Sequence, residues 1–475
     1  MLSGISTLER RLVAWRTSAL LEWLVVGAAS LCGFLLVWWV YQPGFMSWDS
    51  VVQLRQAREG VFSDDHPPIL ALIWRALDRR WPGPIGMLLL LDGLFWLGMA
   101  VFFRLLRWPL WARASGLLLV GLEPAVFMLL GTIWKDTLMQ GALLAGFGAL
   151  LLVGPGQRRL WWALALSLFF IGIAARHNAV AAAWPLLAVP IFGAERLARF
   201  RKPWQLAASL GAGLVLTLAL HQCAALLSRK VAEPSQYWQS TPIFDLVGMS
   251  LQLDEQLIPP EAGVLGPGVT LGRLRQVYDP TDHLRLYKCR KKNCTPALGR
   301  TSDPAQLAVL KATWKHAILT HPGAYLAHRW LAFRQLLRLG SRKIELSTGI
   351  SHNPLGVPRE RTAAGTAVVG LLGALPKFPF YATWFYSLLE CALLVAGGFQ
   401  FFKRGNPLCL CLSLSGLLYL FTFFLATGAP DFRYSVWTIL TTLLAACSLV
   451  RWPTRPGAPS SAVSVGGNAA VEEVG

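Results

Sequence analysis

Residues 20–40 read LLEWLVVGAASLCGFLLVWWV, and the fold turns on what this run is. A helix needs about 20 mainly apolar residues to cross a hydrocarbon core of roughly 30 Å. The run has that length. Arg10, Arg11 and Arg16 precede it, it is too long for the hydrophobic region of a cleavable signal peptide, and no small-residue cleavage site follows. It is therefore expected to be a retained first span with the N-terminus in the cytoplasm.

Working outward, similar runs recur near 85–105, 115–133, 136–153, 160–175, 178–193, 204–227, 378–402, 407–427 and 433–450, which gives ten spans. The 475-residue chain is 54% hydrophobic, has 21 Trp and has a mean hydropathy of +0.47. Soluble domains lie near 45–50% apolar and rarely repeat such runs, so the fold class is an all-α polytopic membrane protein. The net charge of +19 would point to nucleic acid in a soluble protein, but no basic stripe or nucleic-acid-binding signature accompanies it, and no nucleic-acid partner is expected. Topology explains the charge better. Alternating from a cytoplasmic start, the inside loops receive Arg104, Arg107 and Arg113, then Arg158 and Arg159, then Arg196, Arg199, Arg201 and Lys202. The last two receive Lys403 and Arg404, then Arg451 and Arg455. Every inside loop is basic, as the positive-inside rule requires.

This divides the chain into spans one to seven within 1–227, an extracytoplasmic region at 228–362, the remaining spans within 363–452, and a Gly-, Ala-, Ser- and Val-rich tail at 453–475 that is expected to be disordered. The apolar stretch Ala363–Leu375 is too short to span and reads as an interfacial or re-entrant helix. The first extracytoplasmic loop, 41–84, holds an amphipathic pattern at Val51, Val52, Leu54 and Ala57, with Ser50 and Gln53 at capping-box spacing. A second helical pattern begins at Ile69. In the larger region Ser302-Asp303-Pro304 starts a helix to about Thr320, His321-Pro322 breaks it, and Tyr325–Leu339 forms another. That region reads as helical and irregular, without strand-rich segments. Cys32, Cys223, Cys391, Cys409, Cys411 and Cys447 lie in or beside spans and behave as small hydrophobes, whereas Cys289 and Cys294 flank a hydrophilic segment and are expected to form a short-loop disulfide outside.

The predicted topology gathers polar residues at the extracytoplasmic ends of the spans. Asp49, Asp64, Asp65 and His66 fall in the first loop, Lys135 and Asp136 in the second, Arg176, His177 and Asn178 in the third, and Asp431, Arg433 and Tyr434 in the last. Ionisable groups at membrane depth are costly and are usually functional or paired. Acids and bases converging on one face suit transfer of a sugar from a lipid phosphate. A hydroxyl acceptor needs a carboxylate base within hydrogen-bond reach, and a leaving phosphate needs cationic donors. Asp49 suits the base; Lys135, Arg176, His177 and Arg433 suit the phosphate. Simpler readings stand beside these. Asp49 can cap the helix after it, Asp64-Asp65-His66-Pro67-Pro68 can be an ordinary turn or a weak metal set, Lys135-Asp136 can be an ion pair, and the two arginines can anchor helices at headgroups. Glu123-Pro124, inside the third span, reads as a kink with a satisfied carboxyl.

Trp48-Asp49-Ser50 followed by Asp65-His66-Pro67-Pro68-Ile69-Leu70 resembles the start of the GT-C superfamily of membrane glycosyltransferases, in particular the protein O-mannosyltransferase and aminoarabinose-transferase branch. Ile133-Trp-Lys-Asp136, Ala175-Arg-His-Asn178 with Pro185, and Asp431-Phe-Arg-Tyr434 are similar to later loops of that family, so the likeness covers the membrane part, while 228–362 matches nothing nameable. The resemblance implies inverting transfer from a polyprenyl-phosphate-linked sugar to a glycan, lipid or protein hydroxyl, with Asp49 as catalytic base and Asp65, His66 and Asp136 beside it. It implies no cofactor and usually no metal. Two departures matter: Ser50 stands where the eukaryotic mannosyltransferases have a second acid, and no Trp-Trp-Asp motif is present. Arg outnumbers Lys, a composition of GC-rich bacterial genomes, so the bacterial cytoplasmic membrane with a periplasm-facing site is the expected location. The rival readings are an O-antigen-type polymerase or ligase, and a transporter or flippase. The last predicts broken spans in matched halves and midplane charges, to which only Glu123 and Asp92 correspond.

Overall fold

The computed structural model describes residues 7–153, 157–189, 203–288, 296–339, 349–359, 361–375 and 381–450. The apolar runs fold as helices because backbone polar groups in hydrocarbon must be satisfied within the segment. In order these are α1 (Thr7–Tyr41), α2 (Trp48–Glu59), α3 (Ile69–Asp78), α4 (Ile85–Leu105), α5 (Leu110–Gly121) and α6 (Pro124–Leu130). Then come α7 (Lys135–Leu151), α8 (Arg158–Ala175), α9 (Ala179–Ala188), α10 (Pro203–Val231), α11 (Ser240–Leu253) and α12 (Leu271–Val277). The last are α13 (Pro304–Thr320), α14 (Pro322–Leu336), α15 (Ala363–Ala374), α16 (Thr383–Arg404), α17 (Leu408–Ala426) and α18 (Val436–Leu449). Among the described residues the only strand pairing of named strands is the two-residue parallel match of β1 (Phe62–Ser63) with β2 (Ala232–Glu233).

Seven described helical segments are long and apolar enough to cross a membrane: Ala19–Tyr41, α4, α8, α10, α16, α17 and Phe432–Leu449. The chain is an all-α polytopic membrane protein. The sequence reading of ten spans differs at three places, for reasons of length and bending. Its third span is the pair α5 and α6, bent by 69°, which makes an eighth crossing if counted as one span. Its fourth corresponds to α7, 17 residues long and below the ~20 that a full crossing takes, and its sixth to α9, of which 10 residues lie within the described part. The bend has the cause expected from Glu123-Pro124. Oε2 of Glu123 accepts from the Ala125 and Val126 N–H groups at 2.9 and 3.0 Å, capping α6, while Oε1 accepts from the Tyr386 hydroxyl at 3.2 Å.

The two ends of the bundle differ. At one, Glu22 of α1 lies 3.3 Å from Arg113 and 3.7 Å from Arg104, so the predicted basic loop is held against the start of the first span. At the other, Gly44 packs beside Pro84 and Leu88 where α4 begins. α15, 12 residues long, packs on the same end of α1, with Thr362 Oγ1 donating to the Val40 carbonyl at 3.2 Å. A second, separate core lies within 228–336, where Ile243, Phe244 and Val247 of α11 are buried with Leu274, Leu286 and Leu310. Here the helix signal holds at one end: Asp303 caps α13 through the Ala305 N–H at 2.8 Å with Pro304 in the first turn, but α14 begins at Pro322, earlier than expected. Cys289, Cys294 and the tail 453–475 lie outside the described residues, and the other six cysteines are free.

Candidate functional site

The loop after α1 is fixed first by backbone pairing. The Phe45 N–H donates to the Gly131 carbonyl at 2.8 Å and the Ile133 N–H to the Phe45 carbonyl at 2.9 Å, while Met46 exchanges bonds with Gly349 and Ser351 at 2.9 and 2.8 Å. Three segments remote in sequence are thus laid side by side. Gly131 permits it, because a Cβ there would overlap the Tyr41 ring.

This pairing delivers Ser47 to the start of α2, where its N–H donates to Ser50 Oγ at 3.2 Å. The capping box is Ser47 with Ser50, which corrects the pairing of Ser50 with Gln53 read from spacing. Gln53 is buried instead, one turn on. Asp49 is not the cap, since Ser47 occupies that position, and its carboxylate is left to face the bundle. Trp134 Nε1 donates to Ser47 Oγ at 2.6 Å and Ser50 Oγ donates to the Ile133 carbonyl at 2.7 Å, so α2 and the segment before α7 hold one another.

Around Asp49 the predicted polar loops meet. Arg433 Nη2 lies 3.0 Å from Asp49 Oδ2, and Arg433 Nε lies 2.9 Å from Asp431 and 3.7 Å from Asp136. Asp136 is fully buried in the first turn of α7 and pairs closely with Arg176. Both guanidiniums also lie over rings, Arg433 at 4.6 Å from Trp134 and Arg176 at 4.6 Å from Tyr434. Such stacking suits Arg because its planar cation is weakly hydrated. Lys135 differs. Its Nζ meets His66 Nδ1 at 2.9 Å, and among the described residues no carboxylate lies within ion-pairing distance of it. The reading of Lys135-Asp136 as an ion pair is replaced by Arg176-Asp136 and Arg433-Asp136.

The charges set the protonation states. Burial drives the His66 imidazole down to about 3, and the neighbouring Lys135 ammonium adds to it, so His66 is neutral and its Nδ1 accepts from Lys135. Burial raises the Asp49 carboxyl, but the Arg433 guanidinium, helped by the Lys135 ammonium, outweighs that and holds it below the ordinary carboxylate value. Asp49 is ionised, and 31% of its side chain remains exposed, so an acceptor can reach it.

The other predicted residues fall to the side. Asp65 is exposed and makes no ion pair among the described residues; its neighbour Asp64 accepts from the Ser235 N–H at 2.7 Å and so ties the first loop to the chain leaving α10. His177 lines a cavity of about 120 Å³ with Pro67, Ile173, His221 and Ala224, next to Arg176 in sequence but outside its ion pairs. Among the described residues no group of three or more His, Cys, Asp or Glu is placed to hold a metal ion.

One buried set escaped the sequence reading. Asp245, with no exposure, accepts from Arg329 at 2.7 Å and Trp314 at 2.9 Å and faces His328 at 3.2 Å. Arg329 also donates to the Thr427 carbonyl at 2.8 Å, just ahead of Asp431 and Arg433. A lone acid inside the apolar stretch Ile243-Phe-Asp-Leu-Val247 was the available signal. No family model, curated protein or solved structure matches the chain.

Proposed function

We propose that this protein transfers a sugar from a polyprenyl-phosphate-linked donor to an acceptor hydroxyl at the extracytoplasmic membrane face, in the manner of the GT-C glycosyltransferases that its loops resemble. The observation that carries the reading is the joining of Asp49 to Asp136 through Arg433, beside a lysine that among the described residues has no carboxylate within ion-pairing distance. Here Lys135, partly exposed and facing a neutral histidine, supplies a charge for an incoming phosphate.

In the proposed reaction the acceptor oxygen attacks the anomeric carbon while its proton passes to a carboxylate oxygen of Asp49. The bond from that carbon to the phosphate oxygen breaks, and the lipid phosphate leaves with the electron pair. Lys135 neutralises the developing charge, while Arg433 keeps Asp49 ionised and in place. Arg176 and Asp136 hold Arg433 in place. A depressed carboxylate is a weak base in isolation, so Asp49 acts by position and takes the proton late, when the hydroxyl has become acidic.

The proposed setting is the bacterial cytoplasmic membrane with the cluster facing the periplasm, where nucleotide sugars are absent and a lipid-linked donor fits. The test is mass spectrometry of surface glycolipids and polysaccharides from cells with and without the gene. Loss of one monosaccharide from one glycan class is expected, and restoration by the wild-type gene but not by Asp49→Asn. An unchanged set of glycans would defeat the reading.

A further inference from the structure

The part of 228–336 nearest the charged cluster carries an unusual arrangement of aromatics and cations. Arg300 is exposed, yet its guanidinium lies over two rings, 4.3 Å from Tyr237 and 5.0 Å from Tyr287. Next in the chain, Trp238 is 41% exposed with Lys311 lying 5.2 Å from its ring. Among the described residues neither cation has a carboxylate within ion-pairing distance. Lys288 precedes the sequence Cys289-Arg-Lys-Lys292, so the segment leading to Arg300 is itself strongly basic.

Two attachments tie Tyr237 to the loops that bear the cluster. On one side β2 pairs with β1, and Ser235 donates to Asp64, two residues before His66. On the other, the Tyr237 hydroxyl and His283 Nε2 are 3.2 Å apart, and His283 Nδ1 lies 2.9 Å from the Gly428 carbonyl. A carbonyl only accepts, so Nδ1 carries the proton and Nε2 accepts from Tyr237. Gly428 leads directly to Asp431 and Arg433. Tyr237 is thereby held between the loop bearing His66 and the loop bearing Arg433, and its phenol is raised by burial against the opposing pull of Arg300.

We infer that Tyr237, Tyr287 and Arg300 form the acceptor subsite, a shelf that receives a saccharide carrying phosphate or carboxylate and presents its hydroxyl toward Asp49. This rests on the transferase reading above. Arg300 is held against the two rings, so part of its side-chain freedom is already lost before an anion arrives. Trp238 extends the shelf with an exposed aromatic face suited to the apolar side of a sugar ring.

The test uses the full-length protein in nanodiscs of zwitterionic lipid, with N-acetylglucosamine 6-phosphate, N-acetylglucosamine, inorganic phosphate and farnesyl phosphate as probes followed by ligand-observed NMR. Wild type should bind the phosphorylated sugar about tenfold or more tightly than the neutral sugar, and Arg300→Gln should remove about that factor. Farnesyl phosphate should bind Arg300→Gln as it binds wild type and bind Lys135→Gln about tenfold or more weakly. Unchanged binding of the phosphorylated sugar to Arg300→Gln, or no binding to wild type, overturns the proposal. So does inorganic phosphate binding as tightly as the sugar phosphate, which would mark an adventitious anion site. Abolition of sugar binding when anionic lipid is added to the nanodisc would make the shelf a headgroup anchor and overturn it too. Failure of farnesyl phosphate to bind wild type would instead remove the transferase reading, and the acceptor role with it, whatever Arg300→Gln does.

Discussion

Nη2 of Arg433 lies 3.0 Å from Oδ2 of Asp49, linking the base of α18 to the first turn of α2 across 384 residues of sequence. The contact settles two questions about Asp49 that spacing left open. The helix has its cap at Ser47, so the carboxylate is not spent on backbone N–H groups. It is also kept ionised and aimed, because the guanidinium that holds it is itself fixed by Asp431 and by the Trp134 ring.

Asp49→Asn keeps the volume and removes the charge and the proton acceptance. In the proposed reaction it should lower the transfer rate by about 10²- to 10⁴-fold, the usual range for losing a general base. The protein should still fold, with a modest fall in melting temperature from the lost ion pair, since Ser47 still caps α2 and Arg433 keeps Asp431. Transfer to an acceptor, measured on purified protein of verified stability, checks this; full activity would remove Asp49 from the mechanism.

His66 supplies a pH dependence with a definite sign. Its ordinary value is 6.5 and burial beside Lys135 lowers it to about 3, so between these two pH values the unfolded chain binds a proton that the folded chain does not. Folding stability must therefore fall as pH drops from 6.5 toward 3, and the penalty is absent above 6.5. Asp49 acts in a lower window: its depressed carboxyl contributes stability that is present above the ordinary 3.8 and is lost as pH falls through the folded value. His66→Gln, which can still accept from Lys135, should flatten the decline of melting temperature between pH 6.5 and 4.5. An imidazole resonance of His66 titrating near 6.5 would contradict the burial.

How much of this could be read beforehand follows a physical division. Local features were legible: the start of α13 at Asp303-Pro304, the capped kink at Glu123-Pro124, and the loops that bear Asp49, His66, Lys135, Asp136, Arg176 and Arg433, because hydrophobic length and capping act over a few residues. Partnership was not. Nothing in the neighbourhood of Lys135 or Asp136 says that Asp136 goes to Arg176 and Arg433 while Lys135 turns to His66. That choice depends on the pairing of Phe45 with Gly131 and Ile133, a contact between loops with no periodic signal. The second core around Asp245 was hidden for the same reason: its polar partners lie 69 to 84 residues away on other helices.

Gly131 is the point at which that loop pairing is most exposed to mutation. A Cβ at this position would overlap the Tyr41 ring, which is itself almost fully buried against Phe45 and Phe127. Gly131→Ala should cost about 1–3 kcal/mol by overpacking. It should also impair the site, since the displaced strand leads directly to Trp134 and Lys135. Adding Tyr41→Leu should recover part of the loss in melting temperature by making room, and failure of any rescue would place the strain elsewhere.

Arg329 should behave as a buried clamp. It joins Asp245 to the Thr427 carbonyl with neither side chain exposed. Arg329→Met leaves Asp245 with a charge and only His328 and Trp314 as partners, which should cost about 3–5 kcal/mol. The double variant Arg329→Met/Asp245→Asn should be less destabilised than the sum of the single ones, because the uncompensated charge is then gone. Thermal unfolding of the three proteins checks this; strict additivity would show that the pair is not coupled.

Lys135, Arg176 and Arg433 were all candidates for the lipid phosphate, and their contacts separate them. Arg176 is closed off by Asp136 and the Tyr434 ring, and Arg433 is shared among three carboxylates, whereas Lys135 touches only a neutral imidazole. Lys135→Gln should therefore leave the melting temperature nearly unchanged and raise the donor-lipid KM by about tenfold or more, the loss of one charge-assisted contact. Arg176→Lys should do the reverse. Lysine cannot both stack on Tyr434 and fork toward Asp136, so the protein should lose stability and turnover together while its donor KM moves less. The two variants are compared by donor-lipid saturation curves and thermal unfolding. If Lys135→Gln saturates as the parent does while Arg176→Lys loses only donor affinity, the phosphate is held by the arginine, and Lys135 serves the fold through His66.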